Sequence, residues 1–229
     1  NPLRMLIATG IYPPDIGGPA TYSRIIAEEF SARGMAVDIV TYANSGRHCE
    51  DSDRGRRTKQ SRRDCFACAR NDVRRISRKL PKGLRHILYF LAVLWRGRKA
   101  DVIYAQQPVS EGLPAMLAAK LLRKKFVLKI VGDYAWEQGV QRFGVSDLLD
   151  DFLQKKYGLR VEMLRAIESW VARHAARVIV PSEYLANVVA RWGVKKECIA
   201  VIANAVEIPA DLSPKEEVRR ARLVARQAL

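Results

Sequence analysis

The sequence predicts an α/β domain built on a doubly wound, all-parallel sheet, and three observations carry that expectation. Short apolar runs alternate with stretches of helical period along most of the chain. The runs are apolar throughout instead of alternating with polar residues, as strands covered on both faces must be. The chain has 229 residues, of which 48% are hydrophobic, enough to bury the core of one large domain.

The elements follow in order. Residues 4–9 (RMLIAT) form an apolar run that ends at Gly10 and a Pro-Pro turn, the mark of a buried strand. Residues 20–33 follow with Tyr22, Ile25, Ile26, Glu29 and Phe30 at helical spacing and Gly34 as the stop. Residues 37–42 are β-branched and end in loop residues. After a basic segment, residues 84–95 regain helical period, 102–105 read as a strand, 113–122 as a helix and 126–131 as a strand. A long helical stretch is expected over 146–176 with a break at Tyr157-Gly158, then a strand at 177–180, a helix at 183–192 and a last strand at 199–202. The alternation makes right-handed crossovers over both faces the expected topology. Residues 1–209 are expected to form this domain, and 210–229 a linker and the start of something further.

Charge is uneven. Lys and Arg number 40 against 24 Asp and Glu, a net +16 that calls for an anionic partner without choosing one. Residues 44–85 hold 14 Lys and Arg against 5 Asp and Glu, so +9 of that excess sits in one segment. Residues 44–75 have few large aliphatics and read as an atypical basic insertion, solvated between two ordered pieces. Four cysteines make no disulfide scaffold, which sets a reduced, cytoplasmic protein as the expectation. Asn1-Pro2-Leu3-Arg4 lacks the basic-then-apolar pattern of a secretory leader. The longest apolar run, 87–95, is far short of the ~20 residues a spanning helix needs.

In an open parallel sheet, ligands bind beyond the carboxyl ends of the strands. The loops there are residues 12–22, Asn44 to Gly46, Gln106-Gln107, 132–137, Ser182-Glu183 and Asn204. In the first, paired Gly17 and Gly18 permit close approach of a ligand, and the helix that opens at Pro19 offers free N–H groups to a phosphate. The pattern is neither GxGxxG nor a P-loop, which weighs against dinucleotide binding and P-loop hydrolysis; an ordinary tight turn is the competing reading. In the fourth, Asp133, Tyr134 and Trp136 combine a carboxylate with aromatic rings, the chemistry that grips sugars. Asp133 as a helix cap and Trp136 as core are the competing readings.

The segments YPPDIGGPATYSRIIAEEFSARGMAVDIVTY, ADVIYAQQP, KIVGDYAWE, ARVIVPSEYLANVVARWGV and VIANAVEIP occur in that order. Together they resemble the N-terminal, acceptor-side domain of family-4 retaining glycosyltransferases, enzymes with two Rossmann-like domains facing a cleft (GT-B). The resemblance spans roughly Leu3 to Pro209 apart from the basic segment. It implies a donor-binding role for Gly17 and Gly18, a catalytic role for Asp133, and acceptor contacts for Tyr22, Asp133, Tyr134 and Trp136. It further implies that Gln106, Ser182, Glu183 and Asn204 line the cleft, and that Asn204-Ala205-Val206 leads into a second domain, with Ala205 where the family has Gly. The implied co-substrate is a nucleotide diphosphate sugar, with no other cofactor and no metal. The implied acceptor is a glycan or lipid-linked hydroxyl, used with retention in making cell-surface polysaccharide or glycolipid. The family's nucleotide-binding second domain, with its Glu-x7-Glu motif, has no counterpart beyond about Pro209. This chain by itself is therefore expected to be inactive.

Other readings weigh less. Cys65-x2-Cys68 with Cys49, His48 and His86 lacks the second ligand pair that zinc requires. The basic run lacks interleaved aromatics and any reader motif, which argues against nucleic acid. The helix at 84–95, basic at both ends, fits either a core position or docking at the inner face of an anionic membrane. The main alternatives to an enzyme are a non-catalytic α/β module that binds an anionic partner through the basic segment, and a catalytically dead interaction domain.

Overall fold

The computed structural model describes residues 2–43 and 72–204. The atypical segment over 44–71, the Cys65-x2-Cys68 pair and the tail beyond Asn204 lie outside the described residues.

The described chain runs β1 (Arg4–Thr9), α1 (Gly18–Ala32), β2 (Ala36–Ala43), β3 (Asp72–Ser77), α2 (Lys82–Gly97), β4 (Val102–Ala105), α3 (Gly112–Leu122) and β5 (Lys125–Lys129). It continues through α4 (Tyr134–Arg142), α5 (Leu149–Phe152), α6 (Leu159–Arg173), β6 (Arg177–Val180), α7 (Glu183–Arg191), a 3-10 turn (Lys196–Cys198) and β7 (Ile199–Val201). The strands form one seven-stranded parallel sheet ordered β3-β2-β1-β4-β5-β6-β7. The chain thus winds outward from β1 in both directions, the Rossmann-like arrangement whose ligand crevice lies at the reversal between β1 and β4.

Alternate residues of each strand serve different layers. Leu6 and Ala8 of β1 join the larger core with Tyr89 and Val93 of α2, Met116 of α3, Val171 of α6 and Val189 of α7. Ile7, between them, turns to the other face and packs with Ile39, Tyr104 and Ala27 of α1. In register, Ile7 sits between Ile39 of β2 and Tyr104 of β4, so the central strand is apolar on both sides. Fully buried Tyr89 pins α2 over the sheet, its hydroxyl donating to the carbonyls of Thr9 and Val40 at 3.2 and 3.1 Å.

Two elements differ from expectation, and the break expected at Tyr157-Gly158 is present. Residues 72–75, read as the end of the basic insertion, belong to β3. Its sequence DVRRIS hid it, because an edge strand buries only Ile76 and its charges face outward. Arg96 of α2 holds that edge strand, pairing with Asp72 at 2.7 Å and Asp38 of β2 at 3.6 Å. Helix α4 occupies the loop expected after β5, which ends at Lys129 and not at Val131. Gly139 inside α4 reads as a helix breaker, yet it is buried where a Cβ would meet Val145 Cγ2 at 2.9 Å. The glycine therefore serves close packing and costs the helix only about 1 kcal/mol of propensity. The long stretch at 146–176 is two helices, α5 and α6, separated around Tyr157-Gly158, with Arg165 over the Phe152 ring at 3.8 Å tying them together.

Helix α2 is amphipathic in an unusual sense. Tyr89 and Val93 enter the core, while Leu84, Ile87, Leu91 and Trp95 are 46, 57, 48 and 65% exposed. The core position expected for this helix is realised by one face only. No helix among the described residues is long and apolar enough to cross a membrane.

Candidate functional site

A cleft of about 880 Å³ opens at the carboxyl edge of β1, β2 and β4, walled by α2, α3 and α4. This is where a doubly wound sheet is expected to take its ligand. Thr9 and Gly10 form its floor with Gln106 and Gln107, and Pro19 marks the end nearest α1. Tyr42, Arg78, Arg85 and His86 stand on one wall, and Tyr134, Glu137 and Arg142 on the α4 wall.

The floor is a small polar network. Thr9 Oγ1 and Ser23 Oγ approach Gln106 Oε1 at 3.1 and 3.0 Å, and Ser23 also donates to the Pro19 carbonyl at 2.6 Å. Gln106 is 6% exposed, and its Nε2 is buried with no partner among the described residues. Unpartnered buried amides are rare, and this one lies at the cleft floor. Above it, Tyr42 donates to the Ser110 carbonyl at 3.2 Å and meets His86 Nδ1 at 3.0 Å. Burial holds His86 below the usual imidazole range, with Arg85 adding to the effect. Glu111 is fully buried beneath this wall, accepts from Ser110 Oγ at 2.7 Å, and is pushed up to about 7 by desolvation.

The residues expected at the site are distributed as follows. Gly17 caps α1 and Gly18 is its first residue, with Pro19 next to them in the cleft lining. A Cβ at Gly17 would sit 2.7 Å from Ile11 Cδ1, whereas one at Gly18 would meet nothing within 4 Å. Gly18→Ala is therefore expected to leave the melting temperature unchanged, and Gly17→Ala to lower stability by about 1 kcal/mol as Ile11 shifts. Thermal melts of the two variants check this; equal losses would contradict it. Any ligand-binding defect in the Gly18 variant then reports backbone approach and not folding.

Gln106 and Tyr134 line the cleft as expected. Asp133 does not. It is 1% exposed, and its Oδ1 accepts from Trp136 N at 2.8 Å as the N-cap of α4. Behind it, Glu168 of α6 accepts from Ala135 N at 3.2 Å. Burial raises both carboxyl groups, Glu168 most, and the interaction between the two side chains raises Glu168 further while lowering Asp133. Asp133 Oδ2 and Glu168 Oε1 are buried with no hydrogen-bond partner among the described residues, which favours the protonated form of one of the two acids. Trp136 turns away from the cleft as well. It packs with Ala135, Val145 and Phe152, and its indole donates to the Asp147 carbonyl at 2.9 Å.

Tyr22 and Asn204 meet on the α1 side of the sheet through Lys129, which the sequence reading passed over. Lys129 is 2% exposed; its Nζ donates to Asn204 Oδ1 at 2.7 Å and lies 3.5 Å from the centre of the Tyr22 ring. A lysine inside the otherwise apolar run 126–131 was the available signal. Ser182 caps α7, accepting from Leu185 N at 3.3 Å, and Glu183 opens that helix. They stand at the carboxyl edge of β6, three strand spacings, or ~15 Å, from β1. Among the described residues no group of three His, Cys, Asp or Glu is placed to hold a metal ion.

A seven-stranded parallel Rossmann-like sheet with an open cleft at its carboxyl edge matches the architecture of one half of the GT-B fold. The Glycosyl transferase 4-like domain family matches residues 17–205, and the chain belongs to that family. Among solved structures it is similar to Anabaena HepE in complex with UDP and glucose (TM-score 0.58, 14% identity, covering 98% of this chain and 50% of that one). It is also similar to the UDP-GlcNAc 2-epimerases of Methanocaldococcus jannaschii, in complex with UDP-GlcNAc and UDP (0.56, 15%, 88 and 47%), and of Neisseria meningitidis, bound to UDP-GlcNAc (0.56, 11%, 87 and 45%). At these identities the likeness is one of fold. The chain spans about half the length of those solved chains. No protein of curated description has a matching sequence.

Proposed function

We propose that this chain is the acceptor-side half of a glycosyltransferase that moves a hexosyl group from a nucleoside diphosphate sugar to an acceptor hydroxyl with retention. The observation that carries the reading is the cleft at the carboxyl edge of β1 and β4. It has a glycine-opened helix N-terminus at one end and the unpartnered Gln106 amide on its floor. The free N–H groups at the start of α1 suit the leaving diphosphate, whose charge grows as the glycosidic bond breaks. Gln106 and Tyr134 are placed to hydrogen-bond sugar hydroxyls, and Gly18 leaves room for the donor to approach. Asp133 acts as a positioning residue: by capping α4 it fixes the wall that carries Tyr134.

In this reading a second domain closes over the cleft and supplies most of the nucleotide contacts, so the 229-residue chain alone has no transferase activity. The UDP-sugar ligands of the structural neighbours favour a uridine nucleotide as donor. The apolar outer face of α2, flanked by exposed Arg74, Lys79 and Arg98, suits peripheral attachment to an anionic membrane, from which a glycolipid or polysaccharide acceptor would be drawn. Co-sedimentation tests that part. The chain is expected to pellet with phosphatidylglycerol vesicles and not with phosphatidylcholine vesicles, and Leu91→Ser/Trp95→Ser is expected to abolish pelleting. Equal pelleting by the double variant would contradict it. Transfer is tested in the protein carrying both domains, by the anomeric configuration of the product; an inverted product would overturn retention.

A further inference from the structure

The arginines on the cleft walls were counted in the sequence only as bulk charge or passed over, and the structure gathers three of them around one cavity. We propose that Arg78 and Arg85, with Arg142 on the facing wall, form a subsite for a phosphate group carried by the acceptor. This deepens the reading of the cleft as an acceptor site and rests on it.

Four observations support the subsite. Arg78, Arg85 and Arg142 all line the cleft, and none forms an ion pair among the described residues. Arg85 Nε is buried with no partner, and the guanidinium lies 5.5 Å from the centre of the Tyr42 ring, which limits its freedom. Arg78 is held by its bond to the Gly10 carbonyl on the cleft floor, leaving its remaining N–H groups to the cavity. Two acids share the cleft with them, Glu111 and Glu137, so the three arginines outnumber the carboxylates, and burial raises both carboxyl groups, Glu111 to about 7.

Guanidinium forks match phosphate oxygens in pairs, and converging arginines suit a doubly charged group better than a carboxylate. Ile87, Phe90, Leu113 and Leu117 line the same cavity, so an apolar chain attached to the phosphate has a place to lie. The phosphate can belong to a lipid-linked acceptor or to a free phosphorylated one, and the test separates them.

Isothermal titration calorimetry on the 229-residue chain uses octyl phosphate, inorganic phosphate and octanoate as probes. Octyl phosphate is expected to bind, and Arg85→Gln and Arg142→Gln each to weaken it roughly ten- to hundredfold, since each removes charge-assisted hydrogen bonds. Arg85→Lys is expected to restore part of the loss. Melting temperatures of the variants equal to that of the unchanged chain show that the fold is intact. Tighter binding of octyl phosphate than of inorganic phosphate assigns a lipid source; equal binding assigns a free phosphorylated acceptor. Octanoate binding as well as octyl phosphate, or unchanged affinity in both Gln variants, would overturn the subsite. So would displacement of octyl phosphate by UDP, which would make this the donor's diphosphate site. None of these readouts needs sugar transfer. Failure here with transfer intact in the longer protein removes only the subsite, and binding without transfer removes only the enzyme reading.

Discussion

Replacing Asp133 by Ala is expected to lower stability by about 2–4 kcal/mol, from loss of the α4 cap (~1 kcal/mol) and of the interaction with Glu168 (~1–3 kcal/mol). Asp133→Asn is expected to be nearly neutral. Its amide oxygen can accept from Trp136 N, its NH2 can face Glu168, and the cost of holding charge beside a second buried acid disappears. At 2–4 °C per kcal/mol for a chain of this size, the alanine variant should melt roughly 4–16 °C lower, and the asparagine variant within about 2 °C of the original. Activity in the two-domain protein discriminates further. A capping role leaves kcat in Asp133→Asn close to the starting value. A large loss of kcat at unchanged melting temperature would show instead that the carboxylate itself acts on the sugar.

Glu111 should make stability depend on pH in the direction opposite to that of an ordinary ion-paired acid. Its carboxyl ionises near 4.5 when exposed and at about 7 in the fold, so the folded state holds the proton more tightly. The stabilisation is complete below about pH 4.5 and is lost as pH rises through 7, an upper bound of ~3 kcal/mol. Glu111→Gln stays neutral throughout. The variant and the original chain should melt together near pH 5, and the variant should gain at pH 8 by as much as ~3 kcal/mol, or roughly 6–12 °C. A melting difference that does not change with pH would show that Glu111 is not the group responsible.

The sheet was legible because its strands carry their own signal. RMLIAT and VDIVTY are apolar where both faces of a parallel strand must be, and glycine, proline or polar residues end them. β3 was not legible. As an edge strand it satisfies one neighbour only, so DVRRIS needs a single buried residue and reads as part of a charged segment. Helix α4 falls where a loop is expected after β5, and its Gly139 is explained only by the approach of Val145, a contact that no local pattern contains.

The site was half legible. Strand ends brought Gln106 and Tyr134 to the cleft, and Gly17 and Gly18 beside its Pro19 end, because the fold alone determines which loops meet at the crevice. Whether a side chain enters the cleft depends on the next layer. Asp133 turns to its own helix and to Glu168, which lies 35 positions later in the sequence, and Trp136 turns to the α5 layer. The wall arginines were hidden for the opposite reason. Arg78 and Arg85 sit at the end of a strongly basic stretch, where composition favours solvent over a cavity.

The proposed role of the cleft is transfer of a sugar, whereas similar folds also occur in UDP-GlcNAc 2-epimerases. The most direct measurement is incubation of the two-domain protein with a UDP-sugar and acceptor in deuterium oxide, followed by mass and NMR analysis of nucleotide and sugar. The expected result is free UDP with the sugar on the acceptor, its anomeric configuration retained and its ring carbons free of deuterium. A UDP-sugar recovered as its C2 epimer with deuterium at that carbon, and no glycosylated acceptor, would contradict it.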